Sequence, residues 1–246
     1  MPSTLAISSP GSFGGFNKVS PPLVNWIASS QFCFSDNAGT IPCNNNDKVL
    51  RWKNVNGIDS VQQGNPVNAP TFKVLSFGSV VDFASGNYLY STYNFPAVTD
   101  MTMAAVFTSP VQPAALSRII DFRYDNSCWL GRYNQAGTNF WGGGYEYYVA
   151  PYGYFVNVDP TAGKWVWVFN RMQGLNWRTE ASNGQTNIQT YTSTFVATAF
   201  PLYFGTDPTL GSPFTGTVRA LAVHPNTAVD IGSLRAQLGN LLPPPS

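Results

Sequence analysis

The pattern of this chain predicts an all-β fold: a two-sheet antiparallel jelly-roll sandwich closed by one short C-terminal helix. Three observations predict it. About a dozen short runs rich in Val, Ile, Phe, Tyr and Trp are separated by Gly, Pro, Asn and Ser turn signals, which is the spacing of a sandwich. The run Trp165-Val166-Trp167-Val168-Phe169 alternates at period two and is apolar on both faces, which puts it in mid-sheet and covered on both sides. Only Val229 to Leu241 carries apolar residues at helical spacing (231, 234, 238 and 241), with Asp230 at its start, Gly239 near its end and Pro243-Pro244-Pro245 beyond.

The elements follow in order. Met1 to Pro22 is rich in Ser, Gly and Pro and reads as an N-terminal arm. Such an arm is ordered when it lies on its own domain or when a neighbouring subunit clamps it. The domain proper spans residues 23–242, and 243–246 is a Pro-rich tail. Strands are expected at Leu23–Ile27, Val49–Trp52, Phe77–Phe83, Tyr88–Tyr90, Met101–Thr108, Ser117–Phe122 and Cys128–Tyr133. Phe140 to Phe155 is dense in aromatic residues and glycine. The run from Lys164 to Phe169 is expected to end in a turn at Asn170–Gly174. Leu175–Ala181 follows, then a tight hairpin turn at Ser182-Asn183-Gly184, because Asn-Gly tolerates positive φ. Ile188–Phe195, Leu202–Gly205 and Thr215–Val223 complete the set. No linker divides the chain and no repeat runs through it.

Composition narrows the function. Of 246 residues, 43% are hydrophobic, 15% aromatic and 10% charged, against a usual charged share of about a quarter. Thirteen Lys and Arg oppose twelve Asp and Glu, and no basic block exists, so a nucleic-acid partner held through phosphates is not expected. A surface of Asn, Ser, Thr, Gln and Gly suits a protein that works outside the cytosol or packs into assemblies. The first 22 residues lack the basic start and apolar run of a signal peptide, and no stretch is long and apolar enough for a membrane helix. Cys33 and Cys43 flank a polar loop and either pair or remain buried thiols, while Cys128 is left over. With His224 the only histidine, a His/Cys metal cluster is not expected.

Several local signatures, in their order along the chain, resemble the concanavalin A-like, laminin-G-like jelly-roll superfamily found in viral, phage and bacterial surface proteins. Trp26, then Val49 to Trp52 with Asn56-Gly57, Gln62 and Pro70, look like its opening "V-x-x-W-x-N-x-x-G" region. Val81-Asp82-Phe83 to Tyr88-Leu89 is similar to its "F-x-G-x-x-Y-L" hairpin, although Ala84-Ser85 stands where a glycine is usual. Met101 to Phe107, Ile119-Ile120-Asp121, Trp165 to Phe169 with Asn183-Gly184, and Leu202 to Gly205 with Pro213 to Gly216 look like further strands of the family. The resemblance covers about Leu23 to Leu242. It implies the sandwich fold, but the superfamily hosts lectins, glycosidases, lyases and structural modules, so fold alone does not choose among them. Relatives often hold one calcium ion on loop oxygens, for which Asp36, Asn44, Asn45, Asn46 and Asp47 are the candidates here. No other cofactor is implied.

Catalytic constellations are thin. A glycosidase needs two carboxylates at a set separation, and Glu146 and Glu180, the only glutamates, are far apart in sequence. Asp121 and Asp125 read as hydrogen-bonding residues of a strand and its turn. His224 precedes Pro225 at a strand end, with no G-x-S-x-G elbow. Tyr147, Tyr148 and Arg132 would be the parts of a lyase, but no spacing demands it. The chain is therefore not expected to be an enzyme. Glycan binding needs aromatic platforms flanked by hydroxyl-binding Asn, Asp and Arg. Trp141, Tyr145, Tyr147, Tyr148 and Tyr152, with Asp125, Arg132 and Asn134 just before them, are the candidate ligand contacts. The alternative is that these rings fill the core or a subunit contact. The expected role is a non-enzymatic structural and binding module of a surface assembly, such as a virion capsid, decoration or spike protein. It would contact other subunits through the arm. The second reading is a carbohydrate-binding domain for host attachment.

Overall fold

The computed structural model describes residues 23–55, 60–92, 94, 99–109, 116–122, 127–135, 138–147, 150–158, 160, 164–190, 201–225 and 229–244. The described strands are β1 (Trp26–Ile27), β2 (Cys33–Phe34), β3 (Arg51–Lys53), β4 (Ser60–Gln62), β5 (Thr71–Leu75), β6 (Gly78–Phe83), β7 (Leu89–Tyr90), β8 (Asp100–Thr108), β9 (Leu116–Phe122), β10 (Ser127–Gln135), β11 (Thr138–Tyr147), β12 (Ala150–Val156), β13 (Val166–Gln173), β14 (Asn176–Ala181), β15 (Thr186–Thr190), β16 (Leu202–Phe204) and β17 (Gly216–Pro225). One helix, α1 (Ile231–Asn240), follows. The arm, residues 1–22, lies outside the described residues.

Among the described residues all strand pairings are antiparallel, and the described strands form two sheets. An eight-stranded sheet runs β15-β14-β13-β8-β17-β6-β5, with β1 also on β17; a nine-stranded sheet runs β12-β11-β10-β9-β16-β7-β4-β3-β2. The chain changes sheet between β1 and β2, β4 and β5, β6 and β7, β7 and β8, β8 and β9, β12 and β13, β15 and β16, and β16 and β17, so the two sheets are interleaved along the sequence. Alternation does the rest. On β13, Val166, Val168 and Met172 point into the core between the sheets, which Trp26, Trp52, Phe107, Phe204 and Phe214 also fill. Phe169 points the other way, into a second apolar cluster with Ala104, Val106, Ala220, Ala222, Leu234 and Leu238, which α1 covers. Both faces of β13 are thus covered, as its unbroken apolar run requires. Trp165 and Trp167 lie at this outer, helix-covered face and are only half-buried, so neither tryptophan is a ring of the inter-sheet core.

Asp230 caps α1 as expected, its side chain accepting from the Ser233 N–H at 2.7 Å. The helix is tied down by charge as well as by Leu234 and Leu238. Glu180 on β14, buried, takes two hydrogen bonds from Arg235 of α1 and one from Arg178. The chain start is stitched on beside it. Gln237 accepts from the Leu23 and Val24 N–H groups, and the Asn25 side chain both donates to Val223 O and accepts from Val223 N–H at 2.9 Å.

Some expectations are corrected. The strand beginning at Val166 runs on to Gln173, because Asn170 and Met172 are buried, and the turn falls at Gly174-Leu175. Short strands β2, β4 and β5 were not expected. Of Ile188–Phe195, the described part is strand only through Thr190, and residues 191–200 lie outside the described residues. All three cysteines are free, buried thiols.

Burial raises the Glu180 pKa, but hydrogen bonds from Arg235 and Arg178 outweigh it and hold the carboxyl below its ordinary value. Glu180→Gln is expected to cost about 1–3 kcal/mol near neutral pH, measured by urea denaturation. A depressed folded pKa gives stability that is complete above the unfolded glutamate value of about 4.3 and lost as pH falls through the folded value. The gap between wild type and variant should therefore close in acid; a gap that stays constant would contradict the assignment.

Candidate functional site

The nine-stranded sheet turns one face to the core and the other away from it. Directly opposed residues share a face, so the register alone defines what the outer face carries. One row crosses the sheet through successive partners: Phe34, Arg51, Gln62, Tyr90, Tyr203, Asp121, Trp129, Gly144 and Gly153. Its neighbours along each strand, Trp52, Val61, Leu89, Phe204, Ile120 and Leu130, all point into the core. With strands about 4.8 Å apart, the stretch from Arg51 to Trp129 spans about 24 Å.

The middle of this row is aromatic. Tyr90 and Tyr203 stack with ring centroids 6.0 Å apart and planes inclined by 24°, and Tyr88, two residues along the chain from Tyr90, lies 6.2 Å from it. These tyrosines and Gln62 are half-exposed. Beyond Tyr203 the row descends into a buried end. The Arg118 guanidinium lies 4.0 Å from the centre of the Trp129 ring and 3.5 Å from the Asp121 carboxylate. All three of these side chains are buried. Burial raises the Tyr203 pKa, and Tyr88, Tyr90 and Asp121 nearby add to the shift, so its phenol stays protonated and able to donate.

Arg118 and Asp121 are three residues apart, which in a regular strand would put them on opposite faces. A bulge brings them together: Leu130 pairs with Ile120 but Gly131 pairs with Arg118, so Ile119 is the extra residue. The crossing is tight. A Cβ on Gly131 would lie 2.0 Å from Ser117 O and 3.0 Å from Arg118 Cα. Gly143 answers a similar need on the core side, where the Asn170 side chain from the other sheet occupies the place of a Cβ.

The residues singled out from sequence fall differently. Trp141 is a core ring, 4.6 Å from Phe107 and 6.3 Å from Phe214, and so is no exposed platform. Arg132 stands opposite Trp141 and is buried, which lowers its pKa. Asn134 pairs with Asn139, and Tyr145 with Cys128 and Tyr152, while Tyr147 pairs with Ala150. The side chains of Asn134, Tyr145, Tyr147 and Tyr152 lie outside the described residues, as do Tyr148 and Asp125 entirely. Tyr88, Tyr90, Tyr203, Gln62, Arg118 and Trp129 were missed. Their signal was the alternation in Tyr88-Leu89-Tyr90 and Leu202-Tyr203-Phe204, apolar one way and tyrosine the other, and two charges within an apolar strand.

The catalytic candidates are dispersed. Glu180 is spent on two arginines at the outer face of the eight-stranded sheet, whereas Glu146 stands on β11 of the other sheet. His224 is largely buried, with Nε2 2.5 Å from Leu23 O, and burial lowers its pKa. In the calcium candidates, Asp36 accepts from the Thr40 and Ile41 N–H groups, Asp47 from Asn44 N–H, and Asn45 from Val74 N–H. Among the described residues no helix is long and apolar enough to cross a membrane.

No family model and no curated protein matches the sequence. Solved structures do match in fold. A GH54 α-L-arabinofuranosidase soaked with 4-nitrophenyl α-L-arabinofuranoside gives a TM-score of 0.60 at 11% identity, over 90% of this chain and 62% of that one. Domain 4 of AbnA, a GH43 extracellular arabinanase from Geobacillus stearothermophilus in complex with arabinotriose, gives 0.54 at 10% identity, over 81% of this chain and all (100%) of that one. A Trypanosoma rangeli sialidase gives 0.50 at 15% identity, over 95% of this chain and 35% of that one. At these identities the likeness establishes the sandwich fold and nothing finer.

Gly131→Ala is expected to cost about 3 kcal/mol, because the clash is with main chain that cannot swing away. It should also undo the bulge that seats Arg118 on Trp129. Thermal unfolding and the near-ultraviolet tryptophan signal would check both; a variant as stable as wild type would contradict the reading.

Proposed function

We propose that this chain is a non-catalytic glycan-binding module and that the outer face of its nine-stranded sheet is the binding surface. The observation that carries the reading is the half-exposed shelf of Tyr88, Tyr90 and Tyr203, in register with Gln62 and leading to the Arg118–Asp121–Trp129 end. The tyrosine rings offer apolar surface to sugar C–H groups, and their phenols, with the Gln62 amide, bond hydroxyls. The arginine at the deep end is offset by Asp121, and Arg51 beside Gln62 is committed to the Ser60 hydroxyl and the Asn37 carbonyl, so the shelf suits neutral glycans over acidic ones. The absence of catalysis is part of the proposal: Glu180 and His224 are committed to structural contacts. We further assign the module to a surface assembly, a virion component for instance, on the strength of its 10% charged content and its Ser/Gly/Pro arm.

The test is a glycan array of neutral and acidic oligosaccharides, with arabinose oligomers included because a domain of similar fold was solved with arabinotriose. Binding to a neutral class is expected. Tyr203→Ala and Tyr90→Ala, checked for fold by circular dichroism, should each weaken it about five- to tenfold, the effect of losing about 1 kcal/mol of stacking. Absence of binding to any sugar, or full affinity in both variants, would overturn the reading.

A further inference from the structure

The two outermost strands of the eight-stranded sheet are treated differently. On β5, a polar loop covers the open side: Asn46 N–H donates to Phe72 O, Phe72 N–H donates to Asp47 O, and Val74 N–H donates to the Asn45 side chain, at 2.8–2.9 Å. Lys73 adds a charge there. Such covering and charging is how sheets avoid pairing with other chains.

On β15 the open side has no such cover among the described residues. The hairpin fixes which groups face out. Ala181 N–H donates to Gln185 O, so Gln185, Asn187 and Gln189 bond inward to β14, and the N–H and C=O groups of Thr186, Ile188 and Thr190 point outward. Thr186, Ile188, Gln189 and Thr190 are exposed, and Ile188, at the centre, is 58% exposed. The strand has no proline, and no charged residue stands anywhere from Ala181 to Thr206.

Thr186-Asn187-Ile188-Gln189-Thr190 is close to palindromic in chemistry. If it is paired antiparallel with itself about Ile188, threonine meets threonine, Asn187 meets Gln189 and Ile188 meets Ile188. The outward groups fall in hydrogen-bonded register, giving about six main-chain bonds across the axis. In an isologous contact each charge near the axis meets its own copy, and here there is none to repel. We propose that β15 is a dimerisation edge, occupied by β15 of a second copy of this chain, which joins two eight-stranded sheets into one continuous sheet. This does not depend on the glycan reading, since the tyrosine row lies on the other sheet.

The test uses the full chain. Sedimentation equilibrium should show a two-fold gain in mass with rising concentration. Ile188→Lys, which sets two like charges across the axis at an exposed position, should give a monomer with an unchanged circular dichroism spectrum. Ile188→Cys should cross-link into a covalent dimer on oxidation, because opposed residues in hydrogen-bonded register have Cα atoms about 5.5 Å apart. The native thiols, all buried, should not. Val74→Cys on the opposite edge should stay uncross-linked. A chain that remains monomeric at every concentration overturns the proposal. So does a dimer that survives Ile188→Lys while Ile188→Cys fails to cross-link. If Ile188→Lys fails to fold, the cross-linking result decides.

Discussion

Three residues make the nine-stranded sheet a single sheet. Leu202, Tyr203 and Phe204 of β16 lie between β7 and β9, and without them β2, β3, β4 and β7 would be separated from β9 through β12. A strand so short holds its place through what lies on either side. Leu202 and Phe204 are fully buried, with Phe204 edge-on to the Trp26 and Trp52 rings at 5.3 and 5.8 Å. Ser91 clasps the start of the strand, its side chain accepting from Leu202 N–H and its own N–H donating to Leu202 O. Gly205 N–H donates to Ile119 O at the far end. With Leu202 and Phe204 fixed inward, Tyr203 has no choice but to point outward, and the register with Tyr90 and Asp121 follows.

A second constraint acts one strand further on. A buried arginine and carboxylate are costly to desolvate, and their attraction compensates only when geometry is good. The bulge at Ile119 brings the two onto one face, 3.5 Å apart, and Trp129 covers the guanidinium with a ring face. The same irregularity lets β9 give Ile119 and Ile120 to the core while keeping its two charges on the other face. Packing and polarity are thus separated by one inserted residue and one missing side chain, that of Gly131.

The sequence made the element types plain where period and punctuation agreed. Asp100–Thr108, Leu116–Phe122 and Gly216–Pro225 are long, apolar and bounded by turn residues, and α1 carries its own cap. Boundaries failed where polar residues are buried: Asn170 looked like the start of a turn but is a core residue of β13. The site was hard to see for a different reason. Tyr90, Tyr203 and Trp129 are distant in sequence, and no local rule states that the strands bearing them adjoin. The bulge is equally silent, since Ser-Arg-Ile-Ile-Asp reads as a plain strand. Local aromatic density does not tell exposure either: Trp141, in the run after Asn139, is a core ring. The period-two alternation in Leu202-Tyr203-Phe204 was readable, but only tertiary pairing shows what it lines up with.

The central claim is that the tyrosine row is where a glycan sits, and site-resolved NMR tests it most directly. With ring-labelled tyrosine, signals assigned by Tyr→Phe replacement, and a neutral oligosaccharide titrated in, the Tyr90 and Tyr203 resonances should move together with a single midpoint. Movement confined to tyrosines of the 145–154 segment, with Tyr90 and Tyr203 unmoved, would contradict the account.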